Sequence, residues 1–207
     1  MHHDKASLAA LIGSRICHDL ISPIGAISNG LELVAMGTPD PASPEMTLIQ
    51  QSCDNAAARI QFFRIAFGSA GDPRLVSADE ARRTLANHYG GTRIITEWAL
   101  DDPASRDTVQ FGFLAALCLE SALGQGGSIV VAVERDAVLA DARGPSILND
   151  ADCWSLLETG AGSADQALRP AQVQFAFLRQ LCTDAGVTPL VQVSATHAQV
   201  VIPLTTA

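Results

Sequence analysis

The chain has 207 residues, which suits one large domain or two small ones. A formal net charge of −9 disfavours nucleic acid, whose phosphates it would repel; although 48% of the residues are hydrophobic, no apolar run approaches the roughly 18 that a membrane helix needs. The five cysteines are scattered and never in C-x-x-C spacing, which argues against a disulfide framework or a zinc site, and the polar first residues lack a signal-peptide core, so the sequence predicts a cytoplasmic protein.

Residues 5–36 carry the first helical pattern. At about 100° per residue, Ile12, Ile16, Leu20, Ile24, Ile27, Leu31 and Val34 fall on one side. His18 lies about 180° from the centre of that stripe, with Leu11, Ser14, Arg15, Ser22, Gly25 and Asn29 around it on the outer face. A histidine so placed does not fill a core, and an imidazole there can attack phosphorus and carry a phosphoryl group. The bland reading is an ordinary exposed helix histidine. Gly37 to Ala42 breaks the helix, and Ser43-Pro44-Glu45 restarts it, with Ser43 as N-cap and Pro44 at the first helical position. Ile49, Cys53, Ala56, Ile60, Phe63 and Phe67 then form a coiled-coil-like seam, which Gly68 ends. Two long helices with a short loop make an antiparallel hairpin. One hairpin cannot bury both seams, so two subunits are expected to form a four-helix bundle.

From about residue 72 the pattern changes. Ser77-Ala78-Asp79-Glu80 opens a helix running to about His88, Thr92–Leu100 reads as a strand, and Asp107–Leu123 as a buried helix. A β-hairpin follows over Ser128–Glu134 and Ala137–Asp141, then a helix over Pro170–Asp184 and two strands over Val187–Ala195 and Gln199–Leu204. Helices alternating with antiparallel pairs predict a two-layer α/β sandwich.

His18-Asp19-x-x-x-Pro23 is similar to the H-box of sensor histidine kinases. The longer stretch from Arg15 to Ile27, with Asn29-Gly30, Glu32-Leu33 and Arg64-Ile65-Ala66-Phe67-Gly68, resembles the ChpT-type histidine phosphotransferases more closely. The resemblance implies an α+β fold. Residues 1–70 would be a helical-hairpin dimerisation and phosphotransfer domain, and residues 71–207 a degenerate kinase ATP-binding module. In that module Ser121 stands where kinases carry a metal-coordinating asparagine. Ala142 stands at the adenine-binding aspartate, Ser146 at the next glycine, and Gly160-Ala161-Gly162 at the second glycine motif. Asp141 is one residue early, which in a strand points it to the opposite face.

The implied activity is phosphoryl relay between receiver-domain aspartates through phospho-His18, with no autokinase activity. No intrinsic cofactor is expected, and Mg²⁺ would reside on the receiver. The implied partners are a second copy of the chain, the receiver of a hybrid histidine kinase and downstream response regulators, with no nucleic acid and no membrane. Asp19 would hold a proton or hydrogen-bond the second ring nitrogen. Arg15 would neutralise phosphoryl oxygens, unless it is only a surface ion pair. Ser22 would donate a hydrogen bond or cap a carbonyl near Pro23. Pro23 removes the amide bond to Asp19 and is expected to bend the helix. Ser14, Ile21, Gly25 and Asn29 would receive the partner, with Gly25 leaving it room. The competing readings are an autophosphorylating kinase, a His-Asp phosphohydrolase and a non-catalytic dimeric adaptor. The phosphohydrolase lacks further His-Asp pairs.

Overall fold

A computed structural model describes residues 5–37, 43–68, 74–134, 136–160 and 168–204. The first helix, α1 (Lys5–Met36), runs through Pro23 without interruption. The second, α2 (Pro44–Ala66), starts as its sequence predicts: the Ser43 hydroxyl accepts from the Met46 amide at 3.2 Å, and Pro44 occupies the first turn. The two helices pack against each other. A close approach between them explains Gly30, where an added Cβ would lie 2.5 Å from Ile49 Cγ1. Phe67 is the C-cap, and Gly68 follows directly after it as the stop. The end of α2 is held from outside: Arg106 donates to the Arg64 carbonyl at 2.7 Å, and Gln110 donates to those of Ala66 and Gly68 at 3.1 and 2.9 Å. These bonds satisfy carbonyls that a helix end otherwise leaves open.

The remaining elements are β1 (Leu75–Val76), α3 (Ala78–Tyr89), β2 (Ile94–Trp98), β3 (Ala104–Ser105), α4 (Arg106–Glu120), β4 (Gly127–Glu134), β5 (Ala137–Arg143), α5 (Ala151–Thr159), a 3-10 turn (Pro170–Gln172), α6 (Val173–Asp184), β6 (Leu190–Val193) and β7 (His197–Pro203). The main sheet has the order β2-β4-β5-β7-β6. It is mixed: β2 runs parallel to β4, and every other pair is antiparallel. Short β1 and β3 pair separately.

Burial alternates along β5 and β7, as a sheet with one covered face requires. Ile129, Val131, Val138, Ala140, Val200 and Ile202 point to the helical layer and are fully buried. The predicted buried helix is α4, whose residues from Thr108 to Leu119 are all buried. Gly112 lets it approach the sheet; a Cβ there would meet Val131 and Trp98 at 2.8 and 2.9 Å.

Three elements lie outside the sequence expectations. β1 and β3 are two residues each, too short for any period to show. The signal for α5 was present at its ends. Asp150 caps it by accepting from the Cys153 amide at 3.2 Å, and Gly160 closes it in the left-handed region at φ 74°. Gly160 therefore serves as a helix stop; Ala161 and Gly162 lie outside the described residues.

The hairpin and the sandwich share one apolar cluster. Leu8 from α1 and Phe62, Phe63 and Ile65 from α2 belong to the same buried set as α4 and the sheet. Phe62 stacks on Phe113 and on His88, with ring centroids 4.7 and 3.8 Å apart. The predicted α2 seam is thus split: Phe63 enters the chain's own core, while Cys53 and Ile60 face outward. The stripe on α1 is divided likewise. Ile12 and Ile16 pack against the core, while Ile24 and Leu31 remain more than half exposed.

Candidate functional site

The site is one turn of α1 and what packs behind it. The His18 side chain is 82% exposed, whereas those of Asp19 and Arg15 are only 12% and 18% exposed. His18 Nδ1 lies 3.1 Å from Asp19 Oδ1. Arg15 Nε donates to Asp19 Oδ2 at 2.8 Å, the i,i+4 pair that helical spacing provides. One carboxylate therefore serves two groups, one oxygen each. An anionic Asp19 accepts from Nδ1–H and thereby selects the tautomer whose Nε2 lone pair faces solvent.

The sequence-predicted residues fall into two sets. Arg15, His18 and Asp19 are brought into one hydrogen-bonded group. Ser14, Ile21, Ser22, Gly25 and Asn29 are all exposed, and an added Cβ at Gly25 would meet nothing within 4 Å among the described residues. Leu11 and Arg15 depart from the expected outer face, because the 3-10 turn and α6 approach α1 on that side. Arg15 Nη1 sits 3.5 Å from the Ala171 carbonyl, which also accepts from Gln174 at 3.0 Å. Pro23 is buried.

Sequence reasoning missed the groups behind the turn. Arg59 of α2 donates to the main-chain carbonyl of Asp19 at 3.3 Å. Glu120, at the end of α4, accepts from the Tyr89 hydroxyl at 3.3 Å. Burial raises the Glu120 carboxyl above its ordinary range; nearby Arg15 and Arg59 pull it back, and Asp19 pushes it further up. Burial also raises the Tyr89 phenol, with Glu120 adding to the rise. No periodicity links these residues to His18, so no local signal marked them.

The positions that the resemblance aligns with a kinase nucleotide site are engaged elsewhere. Ser121 caps α4, and its hydroxyl donates to the Cys118 carbonyl at 2.6 Å. Ala142 is fully buried against the helical layer. Asp141 does point to the opposite face, where it meets His197, Gln199 and Arg143. A cavity of about 550 Å³ lies at the other end of α4, lined by Ser105, Asp107 and Asp184 among others. The 15 residues of α4 put it roughly 22 Å from Ser121.

The family model described as the histidine phosphotransferase C-terminal domain matches residues 78–197. The chain belongs to that family. It is 38% identical over 129 residues to the protein phosphotransferase ChpT of Brucella abortus (strain 2308), an alignment spanning 61% of this chain and 61% of that relative. A solved structure of a bacterial phosphotransferase superposes with a TM-score of 0.82 at 28% identity, covering 98% of both chains. The histidine kinase AdeS of Acinetobacter baumannii is more distant, with 11% identity and a TM-score of 0.47. Among the described residues no helix is long and apolar enough to cross a membrane.

Proposed function

We propose that this member of the histidine phosphotransferase family relays phosphoryl groups between receiver-domain aspartates through His18. The observation that carries the reading is an exposed imidazole whose Nδ1 is held by an anchored carboxylate while Nε2 stays open. The lone pair of Nε2 attacks the phosphorus of an aspartyl phosphate. An N–P bond forms, the P–O bond to the aspartate breaks, and its electron pair leaves with the carboxylate. The imidazole becomes cationic and keeps its Nδ1 proton against Asp19. The reverse sequence delivers the group to a second receiver.

The chain's contribution is nucleophile and position; Mg²⁺ on the receiver balances charge on the phosphoryl oxygens. Arg15 is committed to Asp19, so its first role in this reading is to fix the carboxylate. Ser14, Ile21, Ser22, Gly25 and Asn29 form the landing face for a receiver. The partners in this reading are a hybrid kinase's receiver, downstream response regulators and a second copy of the chain, all in the cytoplasm. The uses found for Ser121, Ala142 and Gly160 weigh against autophosphorylation from ATP. The non-catalytic adaptor reading predicts that His18 is dispensable.

The test is to incubate the protein with a receiver domain carrying labelled aspartyl phosphate. Acid-labile label should appear on the wild type and be absent from His18→Gln, with circular dichroism unchanged because the ring is exposed. Labelling of His18→Gln equal to wild type would overturn the assignment.

A further inference from the structure

The carbonyl of Asp19 has no helical partner. In a continuous helix it would accept from the amide four residues on, but that residue is Pro23, which has no N–H. An orphaned carbonyl in a half-buried turn is costly and tends to tilt toward water. Here the vacancy is filled from a different helix. Arg59 Nη1 reaches across from α2 and donates to that carbonyl at 3.3 Å. Asp19 is therefore gripped at both ends by guanidinium groups: Arg15 on its carboxylate and Arg59 on its main chain. Half-buried Glu120, which accepts from the Tyr89 hydroxyl, stands behind them.

We infer that Arg59 is a positioning residue for phosphoryl transfer: it replaces the amide that Pro23 lacks, and so fixes the Asp19 peptide that aims the carboxylate at His18 Nδ1. Arg59 acts through Asp19, and through it on the tautomer of His18. This inference rests on His18 being the phosphoacceptor. A rigid Asp19 matters because the 3.1 Å contact to Nδ1 is what keeps the lone pair on Nε2. If the peptide rocks, the carboxylate swings with it, and a larger share of the imidazole carries its proton on the attacking nitrogen.

The proline makes a specific test possible. Replacing it restores the main-chain donor and makes Arg59 redundant at that carbonyl. Transfer from a phosphorylated receiver is measured for wild type, Arg59→Met, Pro23→Ala and the double variant. Methionine keeps the aliphatic stem and removes the donor. Arg59→Met should lower the rate of the transfer step about tenfold in the wild-type background, with the KM for the receiver little changed. In the Pro23→Ala background the same change should cost less than about twofold. Arg59→Lys should recover part of the loss. The ¹⁵N shifts of the His18 imidazole give a second readout that needs no partner: wild type should show the Nδ1–H tautomer, Arg59→Met a mixture, and the double variant a return toward wild type.

Equal losses in both backgrounds would overturn the inference, since Arg59 would then act by charge or packing alone. Wild-type rates in Arg59→Met would overturn it as well. If Pro23→Ala is itself inactive, the imidazole shifts decide; one tautomer throughout defeats the role. No label on wild-type His18 would instead defeat the relay reading, and Arg59's part in transfer with it.

Discussion

Two histidines on this chain have opposite fates, and the difference lies in what surrounds each ring. His18 stands in solvent beside a carboxylate. His88 is buried, stacked on Phe62, and its Nδ1 has no hydrogen-bond partner among the described residues. Burial, reinforced by Arg59, lowers its pKa from 6.5 to about 3. The folded protein thus keeps His88 neutral, while the unfolded chain takes up a proton once pH falls below about 6.5. Between about 6.5 and 3 the unfolded state binds more protons, so stability must fall as pH falls through that window. At full slope the loss is about 1.4 kcal/mol per pH unit. His88→Phe keeps an aromatic ring for the Phe62 stack and removes the titration. Urea unfolding at pH 7 and pH 5 should show wild type losing about 2 kcal/mol more than His88→Phe. Equal losses would mean that His88 finds a proton in the folded state.

At the scale of the element, two of the three glycines on α1, Gly25 and Gly30, differ in spacing from His18 by little more than one turn but have completely different surroundings. A Cβ added at Gly25 would meet nothing within 4 Å among the described residues, whereas one at Gly30 would strike Ile49 of α2. Gly25→Leu should therefore leave the melting temperature unchanged or raise it, since glycine is the poorer helix former by about 1 kcal/mol. It should also reduce transfer strongly, because a receiver's aspartate must come within about 3 to 3.5 Å of the imidazole over that face. Gly30→Leu should do the reverse, lowering the melting temperature by pushing the helices apart, with any loss of transfer following the loss of fold. Thermal melts paired with transfer assays separate the two. A Gly25→Leu protein that melts early would place Gly25 in a packed interface. One that transfers normally would move the landing face elsewhere.

At the scale of the molecule, the hairpin is only half covered. Ile24, Leu31, Met36 and Leu48 and the outward Ile60 leave large apolar surface open on α1 and α2, while the core ends of both helices are sealed into the sandwich. A second hairpin would bury that surface as a four-helix bundle. Light scattering should give twice the 21.7 kDa chain mass, and the pair Ile24→Glu with Ile60→Glu should halve it while the circular dichroism stays native. A wild-type monomer at micromolar concentration would reject the bundle.

The sequence by itself determined whatever depends on near neighbours. Asp19 is the residue next to His18, so its contact with the ring was legible, whereas Arg15, expected on phosphoryl oxygens, turned out to hold the Asp19 carboxylate; the caps at Ser43 and Ser77 and the strands β5 and β7 were legible as well. The exposure of His18 followed from the helical period. Only the tertiary structure decided what stands behind that turn. Arg59, Glu120 and Ala171 come from three other elements, and their approach depends on how α2, α4 and the 3-10 turn pack. It also decided that the α2 seam divides, with Phe63 drawn inward and Ile60 left outside. A repeating pattern states which residues share a face of a helix. Which neighbour covers that face is set by the competition among all apolar surfaces for burial, and that competition is settled only when the whole chain is packed.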